Sequence, residues 1–523
     1  LLIYTHNGTV KLDIGLSAKF CRISAGENGD IPNPKTAPNF CMLLRKHLQN
    51  AEILAVEQAG FERVIYFDLK CFSEFEITEM RLYLEIMGKY SNAVLTKGGV
   101  IVGALKTASL ETGARRVMMS GAKYSLPEKQ DKCDPTDLTA LENAFAEGTL
   151  GDAAKFIADR VAGIAFVTAC DMVNVYGESI TAQNVYDYVN GNDYTPCVIY
   201  RNGEPIDFCA RAAFGGIKRE SILKAQAEFY GYAVRKKAFA DRKRKLVSAL
   251  SSAQKKVEKR LAGIFDKLSE CEKCSDIKLR GELITANIYA IERGASRFSA
   301  VNYYDEKQSE IIIDLDPSLT PSQNAQKYFK RYAKLKRTET NLTAQRTECQ
   351  ARLDYLKTIA GNLNLAEDMR DLDETEEELI TLSLLPAPKS NDKKRKKKES
   401  ESPFRRYVCG DFTVLCGRNN AQNDRLVKSL APTDLWLHAK NFHSAHVAVL
   451  CGGKQPDDSV IKFAAEICAY YSDAQANDKV PVDFTTKKYV KKPNGANLGF
   501  VVYTDFKTIL VAPNAHTEDR CDE

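Results

Sequence analysis

The residues best suited to recognition chemistry lie near the C-terminus, in residues 434–440, with His446 a short distance beyond. This segment holds the only tryptophan of the chain, Trp436, together with His438 and Lys440. These three residues alternate with apolar ones, which predicts a β-strand with one apolar and one polar face. An aromatic ring, an imidazole and an ammonium on one face suit stacking on bases and pairing with phosphate.

Two further polar and basic clusters flank this strand, at residues 416–425 and 487–496. Three such clusters in about a hundred residues predict a nucleic-acid surface. The candidate RNA-binding residues of this C-terminal region are Arg418, Asn419, Asn420, Gln422, Asn423, Arg425, Trp436, His438, Lys440, His446, Lys487, Lys488, Lys491 and Lys492.

Other chemistries find little support in the sequence. His438, His443 and His446 match no closed zinc site, because no cysteine or carboxylate completes the set. Cys271 and Cys274 form a CxxC without a partner pair, which chance explains in a chain with 15 cysteines. Neither a nucleophile–base pair nor a P-loop stands out. We therefore predict no metal, no cofactor and no catalytic residue, and hence a protein that is not an enzyme.

Size and composition bound the class of protein. A chain of 523 residues predicts three or four domains. It shows no apolar run near the roughly twenty residues that a membrane span requires. Its cysteines follow no repeating spacing, which favours a reducing compartment and a cytoplasmic location. The chain begins at Leu1, inside a predicted strand, which indicates a fragment without its own N-terminus.

The elements that must position the candidate residues are a mixture of short strands and helices followed by long helices. The short elements predicted before residue 100 are strands at 1–4, 10–14, 61–67 and 93–95, a helix at 40–48, and a helix end at 85–92 stopped by Gly88. Residues 161–164, with helical flanks, indicate either a helix-hairpin-helix or two packed helices. Apolar residues at coiled-coil spacing predict a long helix over residues 218–275.

A second long helix is predicted to begin at the capping box Thr320-Pro321-Ser322-Gln323 and to carry an apolar residue at every seventh position from Leu335 to Leu363. Two such helices predict an antiparallel coiled-coil hairpin. An acidic block and the basic run 393–398 follow, and both are predicted to belong to a disordered linker.

Basic residues crowd both predicted arms of the hairpin, which indicates contact with RNA phosphates or a solvated helix surface. They are Arg235, Lys236, Lys237, Arg242, Lys243, Arg244, Lys245, Lys327, Lys330 and Arg331.

These segments, together with FCMLLRKHL at 40–48 and EIMGKYSN at 85–92, resemble the NFACT family from about residue 40 to residue 513. The resemblance implies an α+β multidomain fold and places tRNA-binding residues in the N-terminal part at Arg45, Lys46, Glu76, Lys89, Ser91 and Asn92. The implied domains are a formamidopyrimidine-DNA-glycosylase-like N-terminal domain (1–140), a helix-hairpin-helix-like domain (141–216), a coiled-coil hairpin (217–365) with a small tip domain (about 279–318), a charged linker (366–402) and an α/β RNA-binding module (403–515).

The resemblance also implies a function in ribosome-associated quality control. The partners would be the large ribosomal subunit with its rRNA, tRNA, and the stalled peptidyl-tRNA nascent chain. By analogy with the family, alanyl-tRNA would be the aminoacyl-tRNA recruited for untemplated C-terminal tailing. The family's tailing members carry an Asp-Arg pair where residues 75–78 here read Phe-Glu-Ile-Thr, so an acid remains at Glu76 but the arginine is missing. RNA or tRNA binding without tailing is therefore one alternative. A fibronectin-binding surface adhesin, suggested by a family name alone, and a protein of DNA metabolism are others.

Overall fold

The computed structural model describes residues 1–26, 36–72, 76–108, 116–128, 130–147, 151–192, 194–211, 216–305, 308–387 and 403–521. Phe75 and the basic run 393–398 lie outside these ranges. The chain divides into two compact units, residues 1–238 and 239–523.

The first unit contains two antiparallel sheets ahead of a helical part. Its first sheet has the order β1-β2-β3 and its second the order β4-β5-β6-β7-β8. Alternating residues of β6, among them Leu82 and Leu84, are buried against helix α1 and the neighbouring strands. The elements are β1 (Leu2–Thr5), β2 (Gly8–Gly15), β3 (Arg22–Ala25), α1 (Asn39–Leu48), β4 (Glu52–Gln58), β5 (Val64–Phe72), β6 (Ile77–Glu85), β7 (Asn92–Lys97) and β8 (Val100–Ala104).

The predicted helix end at residues 85–92 is wrong. Glu85 ends strand β6, and a 3₁₀ turn, Gly88–Tyr90, joins it to β7. The apolar residues before Gly88 alternate with a period of two, which fits a strand with one buried face. Gly88 has φ +57°, so it forms the turn between strands instead of a helix C-cap.

Four short helices and a three-stranded sheet of order β10-β9-β11 complete the first unit. Aspartate or threonine side chains cap three of the helices by accepting backbone N–H groups. The elements are α2 (Leu138–Ala146), α3 (Ala153–Arg160), α4 (Phe166–Tyr176), α5 (Ala182–Asn190), β9 (Cys197–Arg201), β10 (Glu204–Cys209) and β11 (Ile217–Lys218).

Two long helices dominate the start of the second unit. Helix α6 (Ile222–Cys271) enters it from the first unit, and α8 (Pro321–Asn364) begins at the capping box that the sequence predicts. Leu250 packs with Leu356, and Ile264 packs with Cys349, so the two helices are antiparallel. Between them lie α7 (Cys274–Ala286), β12 (Arg297–Val301) and β13 (Glu310–Asp314), with their own small core.

The C-terminal part of the second unit is a six-stranded antiparallel sheet of order β14-β15-β17-β16-β18-β21. Helix α11 packs on one face of this sheet, and α10 lies on the other. The elements are α9 (Met369–Thr381), β14 (Arg405–Cys409), β15 (Phe412–Cys416), α10 (Asn420–Ser429), β16 (Leu435–Ala439), β17 (Val447–Leu450), α11 (Asp458–Tyr470), β18 (Val480–Thr486), β19 (Val490–Lys491), β20 (Val502–Tyr503) and β21 (Lys507–Val511).

The acidic block predicted as linker is a helix instead, α9. Its cap is Asp368, whose carboxylate accepts the backbone N–H groups of Arg370 and Asp371. Leu372 and Leu379, seven residues apart, are fully buried against α6 and α8. The linker prediction is therefore wrong for residues 369–381, because two buried leucines on one face of the helix pack it against the long helices.

Candidate nucleic-acid interface

The predicted strand is β16, and both of its faces are buried. Leu437 and Ala439 face the core beneath α11, while Trp436 packs against Leu426 of α10 and is 0% exposed. The expectation that Trp436 offers its ring at the surface is therefore wrong. A central strand covered by a helix on each face leaves no open side for a surface stacking platform.

Trp436 belongs to a group of four rings. Its ring centroid lies 5.7 Å from that of His438, 5.2 Å from that of His446 and 4.9 Å from that of Tyr503. The planes of Trp436 and His438 are nearly parallel, at 8°, whereas His446 stands edge-on to both. The sequence indicates two of these rings on one strand, but Tyr503 joins them from 67 residues beyond Trp436.

Burial keeps both imidazoles of this group neutral near pH 7. It lowers the pKa of His438 from 6.5 to about 4, and the neighbouring His443 contributes to the shift. It lowers the pKa of His446 to about 3, with His438 as a further cause. Neither ring can then act as a cation toward phosphate, so the pair can recognise a ligand only by hydrogen bonding and ring contact.

Most polar side chains of residues 416–425 are buried and stabilise the fold through internal hydrogen bonds. Asn419 caps α10 by accepting the backbone N–H of Gln422, and Asn423 accepts the backbone N–H of His446 at 3.1 Å. A Cβ on Gly417 would lie 2.2 Å from Asn423 Oδ1, so only glycine permits this approach. Asn419, Asn420, Gln422 and Asn423 are each at most 5% exposed. An RNA-contacting role for these four side chains would require them to leave these contacts.

The polar partners of this segment come from α8 and α9. Arg418 Nη1 lies 3.0 Å from Asp368 Oδ2 and 3.5 Å from Asp371 Oδ1. Asn420 donates to Glu378 at 3.0 Å, and both Asn419 and Gln422 donate to Glu374. These carboxylates are not among the predicted site residues, although Asp368 three residues before Asp371 has the spacing of a helix cap.

The lysines of this region divide into paired and exposed groups. Lys492 pairs with Asp424, and Lys440 lies 3.7 Å from the buried Asp483. Lys488, within the 3₁₀ turn Lys487–Tyr489, and Lys491, in the adjoining β19, are exposed. Further, Lys487 Nζ donates to the carbonyl of Val490, and the guanidinium of Arg425 lies 5.0 Å from the ring centroid of Phe404. Lys488 and Lys491 are thus the best placed for phosphate.

Several basic residues of the long helices have acidic or carbonyl partners. Arg242 pairs with Asp373 and Glu376 of α9, and Lys243 donates to the carbonyl of Asn364 at 2.8 Å. Other ion pairs are Lys236 with Glu204, Arg244 with Asp241, and Lys327 with Asp316. The exposed basic residues of this set include Arg235, Lys237, Lys245, Lys330 and Arg331.

In the first unit, Arg45 and Lys46 lie exposed on α1, and Lys89 lies exposed on the 3₁₀ turn. Ser91 and Asn92 are buried, and their side chains bond to backbone groups beside that turn and after β8, respectively. Ser91 Oγ accepts the backbone N–H of Met87, and Asn92 Nδ2 donates to the carbonyl of Lys106. Glu76 is exposed, 3.5 Å from Lys97 Nζ.

A second acid–arginine candidate, the dipeptide Glu62-Arg63, is not among the predicted site residues but lies beside this turn. The carbonyl of Arg63 accepts the backbone N–H of Ile86 at 2.8 Å, two residues before Gly88. The α3–α4 turn lies next to the same step, because a Cβ on Gly163 would be 3.0 Å from the ring of Phe61. Gly163 has φ +72°, which that turn requires. The side chain of Arg63 is exposed.

Across the described ranges, no helix combines the length and the apolar character that a membrane span needs. In the same ranges no three His, Cys, Asp or Glu side chains are grouped as a metal ion would require.

Two family profiles match this chain. The profile of the NFACT N-terminal and middle domains matches residues 1–398, and that of the NFACT protein RNA binding domain matches residues 404–501. The second unit thus ends in an RNA-binding domain of a known type. The chain as a whole belongs to the NFACT family.

Relatives with the description Rqc2 homolog RqcH include one from Bacillus subtilis and one from Streptococcus suis. The one from Bacillus subtilis (strain 168) is 33% identical over 505 residues, which cover 93% of this chain and 87% of that protein. The one from Streptococcus suis (strain 05ZYH33) is 30% identical over 529 residues, covering 99% and 92%. These matches support an RNA-binding factor of ribosome quality control.

A solved structure of the C-terminal part of the fibronectin/fibrinogen-binding protein from Streptococcus suis is 28% identical. It covers 54% of this chain and 99% of its own, with a TM-score of 0.42.

Proposed function

We propose that this chain is a cytoplasmic quality-control factor that binds large ribosomal subunits obstructed by peptidyl-tRNA. It recruits aminoacyl-tRNA, alanyl-tRNA by analogy with the family, for untemplated C-terminal tailing of the stalled chain. The ribosome forms the peptide bond, so this protein binds and positions without an active site of its own. The observation that carries the proposal is the match of both NFACT regions along nearly the whole chain.

The test is recovery of the full chain from a native lysate, with sequencing of the bound RNA. Large-subunit rRNA with one enriched type of tRNA is the expected result, and that tRNA identifies the tail residue. Ribosomal RNA without a selected tRNA would support binding without tailing. No RNA above background at low salt, together with binding to immobilised fibronectin, would replace the proposal with the adhesin function.

Within the first unit, we infer that Glu62-Arg63 supplies the acid and the arginine that the family's tailing members use. The step adjoins the turn at Gly88, where the family resemblance places the tRNA-binding residues Lys89, Ser91 and Asn92, and it also adjoins the α3–α4 turn at Gly163. Arginine offers five N–H donors in a planar fork, which suits phosphate or carbonyl groups of RNA. Glu76-Ile77, in contrast, lies at the start of β6.

Arg63→Ala should therefore reduce tRNA enrichment roughly tenfold, the loss of about 1.4 kcal/mol of binding, while recovery of rRNA stays unchanged. The measurement is the ratio of tRNA to rRNA in the recovered complex. Arg201→Ala is the matched control, since Arg201 is exposed at the end of β9 in the same unit. Equal ratios of tRNA to rRNA in the two variants would show that Arg63 has no role in tRNA selection.

Lys488 and Lys491 are expected to contact RNA phosphate. Each contact releases counterions, so the Lys488→Ala/Lys491→Ala double variant should lower the slope of log affinity against log salt by roughly 1.4–1.8. Filter binding of ribosomal RNA at several salt concentrations gives this slope. Lys454→Ala is the control, because Lys454 is exposed in the same module but pairs with Asp411. An unchanged slope in the double variant would exclude these two contacts.

A further inference from the structure

The second unit contains a cavity of about 600 Å³ whose walls come from α8, the start of α10, β16 and residues 495–501. This volume is typical of small-molecule sites. Among the described residues that line it, the charged ones are two carboxylates, Asp354 and Asp473, and none is a lysine or an arginine. A phosphate group would therefore find no counter-charge on these walls.

Two polar atoms of the cavity wall are buried without a hydrogen-bond partner in the described part of the chain. They are Nε1 of Trp436 and Nδ1 of His446, on side chains that are 0% and 2% exposed. An unpaired buried polar group costs about 1–3 kcal/mol, so such atoms call for a partner. Because the indole nitrogen can only donate, that partner must offer an acceptor.

A heteroaromatic ring meets these demands. Its ring nitrogens and carbonyls supply acceptors in the plane, and its faces suit contact with His438 and Tyr503, the two partly exposed rings of the group. Proteins that bind single-stranded RNA stack unpaired bases on such side chains.

The carboxylates fit the sugar that accompanies a base. Carboxylates accept hydrogen bonds from ribose hydroxyls in dinucleotide-binding proteins. Asp473 closely approaches α8, since a Cβ on Gly361 would lie 2.9 Å from its Oδ1. Asp354, on α8 itself, accepts a hydrogen bond from Gln350.

We propose that this cavity binds a ribonucleoside with a free 2′,3′-diol, with its base against the four rings and its ribose hydroxyls toward Asp354 or Asp473. The nucleoside is either free or the 3′-terminal residue of an RNA. The second source rests on the proposed function, whereas the first does not.

Trp436 is the only tryptophan of the chain, so its fluorescence reports on this cavity directly. Adenosine added to the full chain should change the emission saturably. Thr358→Phe, which places a ring in the cavity from α8, should weaken this binding at least tenfold. Lys357→Phe places the same ring on the exposed face of α8 and should leave adenosine binding unchanged.

Two further changes test the individual contacts. His446→Phe keeps a ring but removes Nδ1, and should also weaken adenosine binding. The 2′,3′-dideoxy analogue should bind at least tenfold more weakly than adenosine.

The absence of a saturable change with adenosine, guanosine, cytidine and uridine at millimolar concentration would overturn the proposal. So would equal apparent affinities in Thr358→Phe and Lys357→Phe. Short RNAs distinguish the sources: competition by an RNA with a 3′-hydroxyl but not by one with a 3′-phosphate supports the RNA end, and competition by neither supports a free nucleoside. Ribosome recovery with Thr358→Phe is measured separately. Retained recovery alongside lost adenosine binding supports a site that works independently of ribosome attachment.

Discussion

Asp371→Ala is expected to lower the free energy of unfolding of the second unit by about 3 kcal/mol, because it breaks a buried ionic network. The carboxylate of Asp371, 3% exposed, lies between two guanidinium groups that are themselves buried. Arg418 is 3.5 Å from it and Arg405 is 4.0 Å from it. Its Oδ2 also accepts the backbone N–H of Glu367 at 2.9 Å. After the substitution this N–H loses its acceptor, and both arginines lose a partner where water cannot replace it.

Urea unfolding of the full chain, followed by Trp436 emission, measures this effect. Asp371→Asn keeps an acceptor oxygen but loses the charge, so its destabilisation should be smaller than that of alanine. Asp373→Ala on the same helix is the matched control. Its carboxylate is 44% exposed and pairs with Arg242, so the loss should stay below about 1 kcal/mol. Equal losses at Asp371 and Asp373 would show that α9 is not held by a buried network.

The long helices could be predicted from the sequence because their signals are local. The capping box at Thr320 and the seven-residue spacing from Leu335 to Leu363 each depend on residues within a few turns. The structure has the capping box and buries Leu342, Cys349, Leu356 and Leu363, whereas Leu335 is partly buried. Strand β16 could likewise be predicted, because its apolar and polar residues alternate. Its burial on both faces was not, because the second cover is helix α10, whose polar sequence hides the apolar contact made by Leu426.

The polar cluster of the candidate site illustrates the opposite case. Asn420 is satisfied by Glu378, 42 residues away in the chain, and Arg418 by Asp368, 50 residues away. A polar run therefore looks like an exposed surface in the sequence, although its partners bury it. The same holds for the acidic block, because its carboxylates are the partners of these polar side chains. Only the folded arrangement shows that both runs are one interface inside the second unit.

The second unit is also expected to lose stability as pH falls from about 6.5 toward 4. The pKa of His438 is about 4 and that of His446 about 3 in the folded chain, both below the unfolded value of 6.5. The unfolded chain therefore binds more protons in this range, and the free energy of unfolding rises with pH until about 6.5. Each pKa unit corresponds to about 1.4 kcal/mol, so protonation of the two imidazoles in the unfolded chain should remove several kcal/mol of stability between pH 6.5 and pH 4.

His446→Phe removes the more deeply buried imidazole while keeping an aromatic ring in its place. The difference between the free energies of unfolding at pH 7.5 and pH 5 should then be smaller in the variant than in the parent chain, whatever the variant's stability at either pH. Urea unfolding followed by Trp436 emission at the two pH values provides both differences. His6→Phe is the control, because His6 is exposed in the first unit. The same difference in His446→Phe as in the parent would mean that His446 takes up its proton without unfolding, and that the ring group is open to water.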